Sequence, residues 1–256
     1  MSDQNSKPAL SFVVPALNEE KNIEPTVKHI LEAGRQSCRD FEIILVNDGS
    51  TDRTGAIMDD LAARHKTVKV VHNKHNSGYG GAFKKGAAVA QKEYVVRVCA
   101  DDVSPAECLE KTLNQVGKAD LVLPYLTNPE VRSWGRRFCS WGFTTLINGL
   151  FGQRVRYYNH CVVFRRENLK AINIVTNGFV YQAEAVVKLL MAGCSYVEVG
   201  VYDVPRVHGQ STALRPKNVI NSFRAVYGLV WEVRRPGAIP NFSPKPAASA
   251  AIQQEP

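Results

Sequence analysis

The sequence lacks any long apolar run. Its first residues, MSDQNSKPAL, carry no hydrophobic signal core, and no stretch approaches the roughly 20 apolar residues of a membrane-spanning helix. The chain is therefore expected to be soluble, or peripheral on a membrane face. Paired cysteines are missing too: the six, at 38, 99, 108, 139, 161 and 194, include no CxxC and fall in segments that otherwise read as core. That scatter argues against a disulfide frame or a structural zinc site, and for reduced thiols in a cytoplasmic chain. Acids are scarce beside bases, 24 against 32, leaving a formal charge of +8. The excess favours an anionic partner: nucleic acid, a phosphorylated small molecule or an acidic membrane face. No nucleic-acid-binding motif accompanies the charge, so no nucleic acid is expected as partner. No internal repeat is apparent.

What is present suffices for one domain of enzyme size, since 256 residues, 45% of them hydrophobic, can bury one substantial core. The runs SFVVPA (11–16), FEIILVN (41–47), VKVVH (68–72) and EYVVRV (93–98) are too continuously apolar to have one wet face. They read as strands buried on both sides. Between them, 19–36, 52–65 and 80–91 read as helices, the second opened by a Ser-Thr-Asp cap signal. This β-α-β-α order implies an α/β fold with a doubly wound, mostly parallel sheet and helices on both faces, whose ligands bind at the carboxyl ends of the strands.

The second half is less regular. A helix is expected over about 134–151, uncharged from 138 to 152 and flanked by Arg132, Arg136, Arg137, Arg154 and Arg156. It is too short to cross a bilayer, so it packs internally or lies at an interface. A helix over 181–192 ends at Gly193 and leads into the strand SYVEVGVYDV. Val219, Phe223, Val226, Tyr227, Val230 and Trp231 form one helical stripe, expected to pack on the sheet, with a membrane contact as the alternative. Residues 1–9 are expected to be flexible, and 236–256, rich in Pro, Ala and Ser, to be disordered.

Four strand-end loops carry the polar chemistry. In VVPALNEEKNI, Pro15 ends the strand and Asn18 and Glu19 offer an amide and a carboxylate. In ILVNDGSTD, Asp48 stands at the strand tip, Gly49 permits a tight turn, and Ser50, Thr51 and Asp52 can cap the next helix. In NSGYGGAFKKG, glycines 78, 80 and 81 allow close approach of a ligand at a helix start, where amides favour anions. The fourth loop is CADD, residues 99–102. Each alone also reads as ordinary capping or turn chemistry; it is the four together on one sheet edge that point to a binding site.

The order VVPALNEEKNI, ILVNDGSTDRT, N-x-G-x-G-G-A and then an acidic motif after a fourth strand resembles family 2 glycosyltransferases with the GT-A fold, over roughly residues 10–215. In the second half RSWGRRFCSWGFTTLINGLFG, VVFRRENL and QAEAVVKLLMAGCSYVEVGVYDVPRVHGQST are similar to the dolichyl-phosphate mannosyltransferase branch, which transfers sugars to polyprenyl phosphates. The resemblance implies one GT-A domain over 10–235, with a nucleotide-binding half to 103 and an acceptor half from 104. It also implies that Pro15, Ala16, Leu17, Asn18, Glu19 and Asp48 contact base and ribose, and that Gly78 and Gly80 lie beside the nucleotide. Ala100 and Asp101 then fall in the diphosphate loop, Asp101 at the second acidic position of the family's Asp-x-Asp. A divalent Mg or Mn ion there would be held by Asp101, Asp102 and, from the C-terminal side, His208.

Two departures qualify what the resemblance carries over. Cys99 replaces the first family aspartate and Val103 a glutamine, and a thiol is a poor magnesium ligand; Arg206, Arg165 or Arg166 could neutralise a diphosphate instead. Relatives that glycosylate hydroxyls carry a Glu-Asp pair where this chain has Tyr181 and Gln182, with Glu184 two places on, as in the polyprenyl-phosphate branch. Glu184 is thus either a base or a salt-bridge partner. An ionised phosphate acceptor needs only positioning, for which Arg137, Arg165, Arg206 and Ser211 are candidates.

The expected activity is that of an inverting hexosyltransferase, with a nucleotide sugar as donor and a lipid phosphate as acceptor, at the cytoplasmic face of a membrane. Asp101, Asp102 and Glu184 are its candidate catalytic residues. A soluble transferase acting on a saccharide or small-molecule hydroxyl, and a GT-A nucleotide-binding module without turnover, are the alternatives.

Overall fold

The computed structural model describes residues 7–101, 103–205, 216–235, 237, 239 and 240. Asp102, Arg206, His208 and Ser211, the first six residues, and most of the tail expected to be disordered lie outside the described residues.

The strands are β1 (Ala9–Ala16), β2 (Asp40–Asn47), β3 (Val68–His72), β4 (Tyr94–Arg97), β5 (Leu121–Leu126), β6 (Val163–Arg165) and β7 (Tyr196–Val201). They form one sheet in the order β3-β2-β1-β4-β6-β5-β7. β6 runs antiparallel to both its neighbours, and β5 and β7 are parallel to each other. β1, β2, β3, β4, β5 and β7 therefore all end at one edge of the sheet, while β6 ends at the other.

The helices are α1 (Ile23–Ser37), α2 (Thr54–Arg64), α3 (Tyr79–Val89), α4 (Ala106–Leu113), α5 (Trp134–Phe151), α6 (Arg166–Ala171), α7 (Tyr181–Met191) and α8 (Pro216–Glu232). α1 forms because Ile23, Val27, Ile30 and Leu31 recur at helical spacing and all are buried. Each such side chain taken from water contributes about 1.5–3 kcal/mol. These residues join Leu10, Phe12, Val14 and Leu109 in the core on one face of the sheet, beneath α1, α2 and α4. Val13, Val46, Phe83, Phe164, Tyr181 and Val186 form the core on the other face, beneath α3 and α7. Successive residues of β1 thus point to opposite cores, as a strand buried on both sides requires.

α8 departs from expectation. It contacts α5 and buries Val226 and Leu229, but Phe223, Tyr227 and Trp231 stay exposed rather than packing on the sheet. Cys139, on α5, is likewise exposed instead of lying in the core. No helix among the described residues is long and apolar enough to cross a membrane.

Candidate functional site

The loops after β1 and β2 are laced together. Asn18 adopts a left-handed backbone, φ 56°, which asparagine tolerates better than most residues. Its N–H donates to Ser50 Oγ at 3.0 Å, and its Oδ1 accepts from the Thr51 N–H at 2.9 Å. The Glu19 and Glu20 amides donate to Thr54 Oγ1 and Asp52 Oδ2, at 2.8 and 3.3 Å. Asp52 Oδ1 also accepts the Thr54 N–H at 2.9 Å, from one residue ahead of Arg53, which takes the N-cap position of α2 without a side-chain cap bond. Pro15 and Ala16 are buried at the end of β1, and Leu17 and Asn18 form an exposed rim.

Asp48 ties in the third loop. It is buried, and its Oδ1 accepts from Asn73 Nδ2 at 2.7 Å, Ser77 N–H at 2.9 Å and Ser77 Oγ at 2.7 Å. The loops after β2 and β3 are thereby fixed together around one carboxylate. The glycines after it behave differently from expectation. The Gly80 and Gly81 amides both donate to the Asn177 carbonyl, at 2.8 and 3.3 Å. A Cβ at Gly78 would lie 2.6 Å from that same oxygen, and one at Gly80 would lie 2.6 Å from Tyr181 Cβ. Small residues are needed here, but the space they leave is filled by the chain ahead of α7 rather than kept for an anion.

At the end of β4 the central feature is a buried guanidinium. Arg97 is 3% exposed. Its Nε donates to Gln182 Oε1 at 3.0 Å, and Nη1 to Tyr79 Oη and Cys99 Sγ at 2.8 and 2.6 Å. Nη2 donates to the Asn159 and His160 carbonyls at 3.2 and 2.5 Å. All its acceptors here are neutral groups. Cys99 is partly exposed, with the Tyr79 hydroxyl 3.3 Å away as well. Burial raises its thiol above the ordinary cysteine value despite the pull of Arg97, and nearby Asp101 pushes the same way. The residue at this position is therefore a neutral thiol surrounded by donors.

That chemistry does not fit a hard divalent cation at position 99. A neutral sulfur is a soft ligand, and a cation on it would approach the guanidinium. Among the described residues no group of three or more His, Cys, Asp or Glu side chains could hold a metal ion. Of the three ligands expected from sequence, only Asp101 is described, and it follows the buried Ala100 in the loop.

A second polar cluster lies at the same edge and carries no sequence signal. Asp203, just past β7, accepts from Arg132 Nη2 at 2.7 Å and bonds His160 Nε2 at 3.2 Å. Arg132 Nη1 also donates to Tyr157 Oη at 2.6 Å, and the Val204 amide donates to the Val103 carbonyl at 2.9 Å. Burial would raise the Asp203 carboxyl, but His160 and Arg132 hold it below the usual range. These groups come from segments 43 and 71 residues apart in the chain, so no local motif could have announced them.

The remaining candidates separate. Arg165 lies at the opposite edge of the sheet, because β6 runs antiparallel: it stands across from Tyr94 at the start of β4 and pairs with Glu93 at 3.1 Å. Arg166 is beside it, its N–H on the Glu93 carbonyl at 2.9 Å. Neither stands at the strand ends where the loops gather. Arg137 is exposed on α5, in a shallow groove of about 390 Å³ formed with Pro129, Trp134, Phe138 and Trp141. Glu184 is buried. Its oxygens accept from the Val175 and Thr176 amides at 2.7 and 2.9 Å and from Lys188 Nζ at 2.7 Å. Burial alone would raise its carboxyl, but Lys188 and those amides outweigh it and hold Glu184 below the ordinary glutamate range. Of the two roles its sequence position allowed, the structure provides the salt-bridge one.

Such a sheet, with nucleotide-type loops gathered at its carboxyl edge, is the GT-A α/β fold. Glucosyl-3-phosphoglycerate synthase from Mycobacterium tuberculosis, solved with Mg²⁺ and UDP, shares it: TM-score 0.65, 16% identity, 89% of this chain and 81% of that one covered. The model of glycosyl transferase family 2 matches residues 11–172, and the chain belongs to that family. Among its relatives, the dolichyl-phosphate beta-glucosyltransferase ALG5D of Trichomonas vaginalis is 35% identical over 115 residues, 43% of this chain and 35% of that protein. The undecaprenyl-phosphate 4-deoxy-4-formamido-L-arabinose transferase of Edwardsiella ictaluri is 26% identical over 228 residues, 82% of this chain and 65% of that protein. The chain spans about a third of the length of several curated relatives it matches.

Proposed function

We propose that the chain is an inverting glycosyltransferase that moves a sugar from a nucleotide-sugar donor, bound at the carboxyl ends of β1, β2 and β4, to a polyprenyl phosphate or related lipid phosphate at the cytoplasmic face of a membrane. The observation that carries the acceptor assignment is the state of α7. Glu184 is closed in an ion pair with Lys188, and Gln182 is spent on Arg97 and on the Tyr158 and His160 carbonyls, at 2.6 and 2.7 Å. Neither side chain is available to take a proton from a hydroxyl, whereas a phosphate acceptor is already ionised at neutral pH. The named lipid-phosphate relatives support the same class.

The surface supports a membrane partner. On α5 Trp134 stacks on Phe138, with centroids 5.8 Å apart, and Phe138 meets Trp141 at a tilt, 6.1 Å apart; both tryptophans are exposed, at 76% and 65%. Tyr227 and Trp231 add an exposed aromatic pair on neighbouring α8, 6.1 Å apart. Aromatic faces edged with arginine suit the headgroup region of a bilayer.

In the reaction an acceptor phosphate oxygen forms a bond to the anomeric carbon on the side opposite the leaving group. The bond from that carbon to the diphosphate oxygen breaks, and its electron pair leaves with the nucleoside diphosphate. No proton needs to be removed from the acceptor. Asp101, an acceptor-only group when ionised, takes hydrogen bonds from donor hydroxyls, while the laced loops around Asp48 hold base and ribose. The test is acceptor competition: a short polyprenyl phosphate should be glycosylated at least about a hundredfold faster than any soluble saccharide hydroxyl. Equal or faster transfer to the hydroxyl overturns the assignment. Cys99 favours a second reading, a binding module, which predicts nucleotide binding with no turnover on any acceptor.

A further inference from the structure

Arg97 is a buried cation whose hydrogen bonds go to an amide, a phenol, a thiol and two backbone carbonyls. Five N–H groups are all a guanidinium has, and it stays charged in proteins. A buried charge of this kind is costly unless a counter-charge lies near it. Beside it, at 2.6 Å, is Sγ of Cys99, a partly exposed residue that begins the Cys99-Ala100-Asp101 run of the loop. An anion resting on Cys99 is therefore one thiol away from the guanidinium. A metal ion on the same thiol meets a soft, neutral ligand and a positive charge behind it.

We propose that Arg97, acting through Cys99, stands in for a divalent cation at this loop, so that the nucleotide diphosphate is bound without metal. This rests on the nucleotide site proposed above and concerns what neutralises the diphosphate there. Arg97 is a positioning charge rather than a catalytic residue, since its N–H groups are all occupied within the protein. Its partners also make the arrangement rigid: Gln182 fixes it from α7 and Tyr79 from the start of α3. The field at Cys99 is thus present before any ligand arrives, as electrostatic preorganisation requires.

The test is calorimetric binding of UDP, GDP, CDP and ADP to the full chain, in EDTA and then in Mg²⁺ or Mn²⁺. For the nucleotide that binds, removing metal should change affinity by less than about threefold; a site whose main local charge is the ion would lose at least about tenfold. A loss of that size in the wild type overturns the proposal. Cys99→Asp sets a carboxylate against the guanidinium and cancels its field, so in EDTA this variant should bind about tenfold more weakly and recover with Mn²⁺. Cys99→Ser, which keeps a small neutral acceptor beside the guanidinium, should still bind with an affinity that changes less than about threefold between EDTA and Mn²⁺, with thermal melting confirming that both variants fold. If Cys99→Asp binds as tightly as wild type in EDTA, the guanidinium is not what holds the diphosphate and the inference fails. If no nucleoside diphosphate binds under any condition, the nucleotide site itself is wrong, a result distinct from metal-dependent binding.

Discussion

Several residues that look alike in the sequence have different work in the fold. Lys188 is 1% exposed and bridges Glu184 and Glu232, each at 2.7 Å, so it ties α7 to the end of α8. Lys188→Met should destabilise the protein by about 3–5 kcal/mol, because Glu184 is left buried and unpaired; chemical denaturation measures it. The same pair sets a pH dependence. The folded carboxyl of Glu184 lies below its ordinary value of 4.5, so its contribution is complete above that value and is lost as pH falls through the lower folded one. Melting temperature should drop in that acid window, and Glu184→Gln should flatten this part of the profile. A Glu184 contribution that disappears on raising the pH instead would contradict the sign. Gly86 is needed for packing, since a Cβ there would sit 2.4 Å from Val13 Cγ1 and 2.9 Å from Val46 Cγ2. Gly86→Ala should cost about 2 kcal/mol, readable in a urea titration.

The elements most legible in the sequence were those with one uninterrupted signal. β1 and β2 are continuous β-branched runs between turn residues, and α1 repeats its apolar face over fifteen residues. β5 and β6 were not anticipated. β5 contains Pro124, tolerated because the pairing with β6 covers only Leu121 and Val122. β6 has three residues, too few for any periodicity, and its reversed direction is set by its neighbours. That reversal is what moved Arg165 to the far edge. The glycine run after β3 reads as room for a ligand, but local sequence does not say whether the space a glycine leaves is taken by ligand or by a segment a hundred residues away, here Thr176 and Asn177.

At this scale the exposed faces of α5 and α8 make a clear prediction. Replacing Trp134, Trp141 and Trp231 with serine should leave melting temperature within a few degrees, since each is more than half exposed. The same change should weaken sedimentation with anionic vesicles by about tenfold or more. Unchanged sedimentation would remove these helices from any membrane contact.

For the whole molecule, the parallel strands bring four loops and the Arg132–Asp203–His160 cluster to one edge, and the aromatic helices form an exposed surface of the chain's second half. The sheet and the order of its strand-end loops were legible because each strand-loop-helix unit is local in sequence. The cluster was not, because it is assembled by the sheet from distant segments. Asp101 is the residue on which the donor assignment turns: Asp101→Ala should reduce transfer at least about a hundredfold while leaving the melting curve in place. The central claim is tested most directly by presenting the chain with a panel of nucleotide sugars and a short polyprenyl phosphate, and following both the glycosylated lipid and the released nucleoside diphosphate. One donor should yield the two products in equal amounts, with inverted anomeric configuration; release of nucleoside diphosphate with no sugar on the lipid, or no reaction with any donor, would contradict the account.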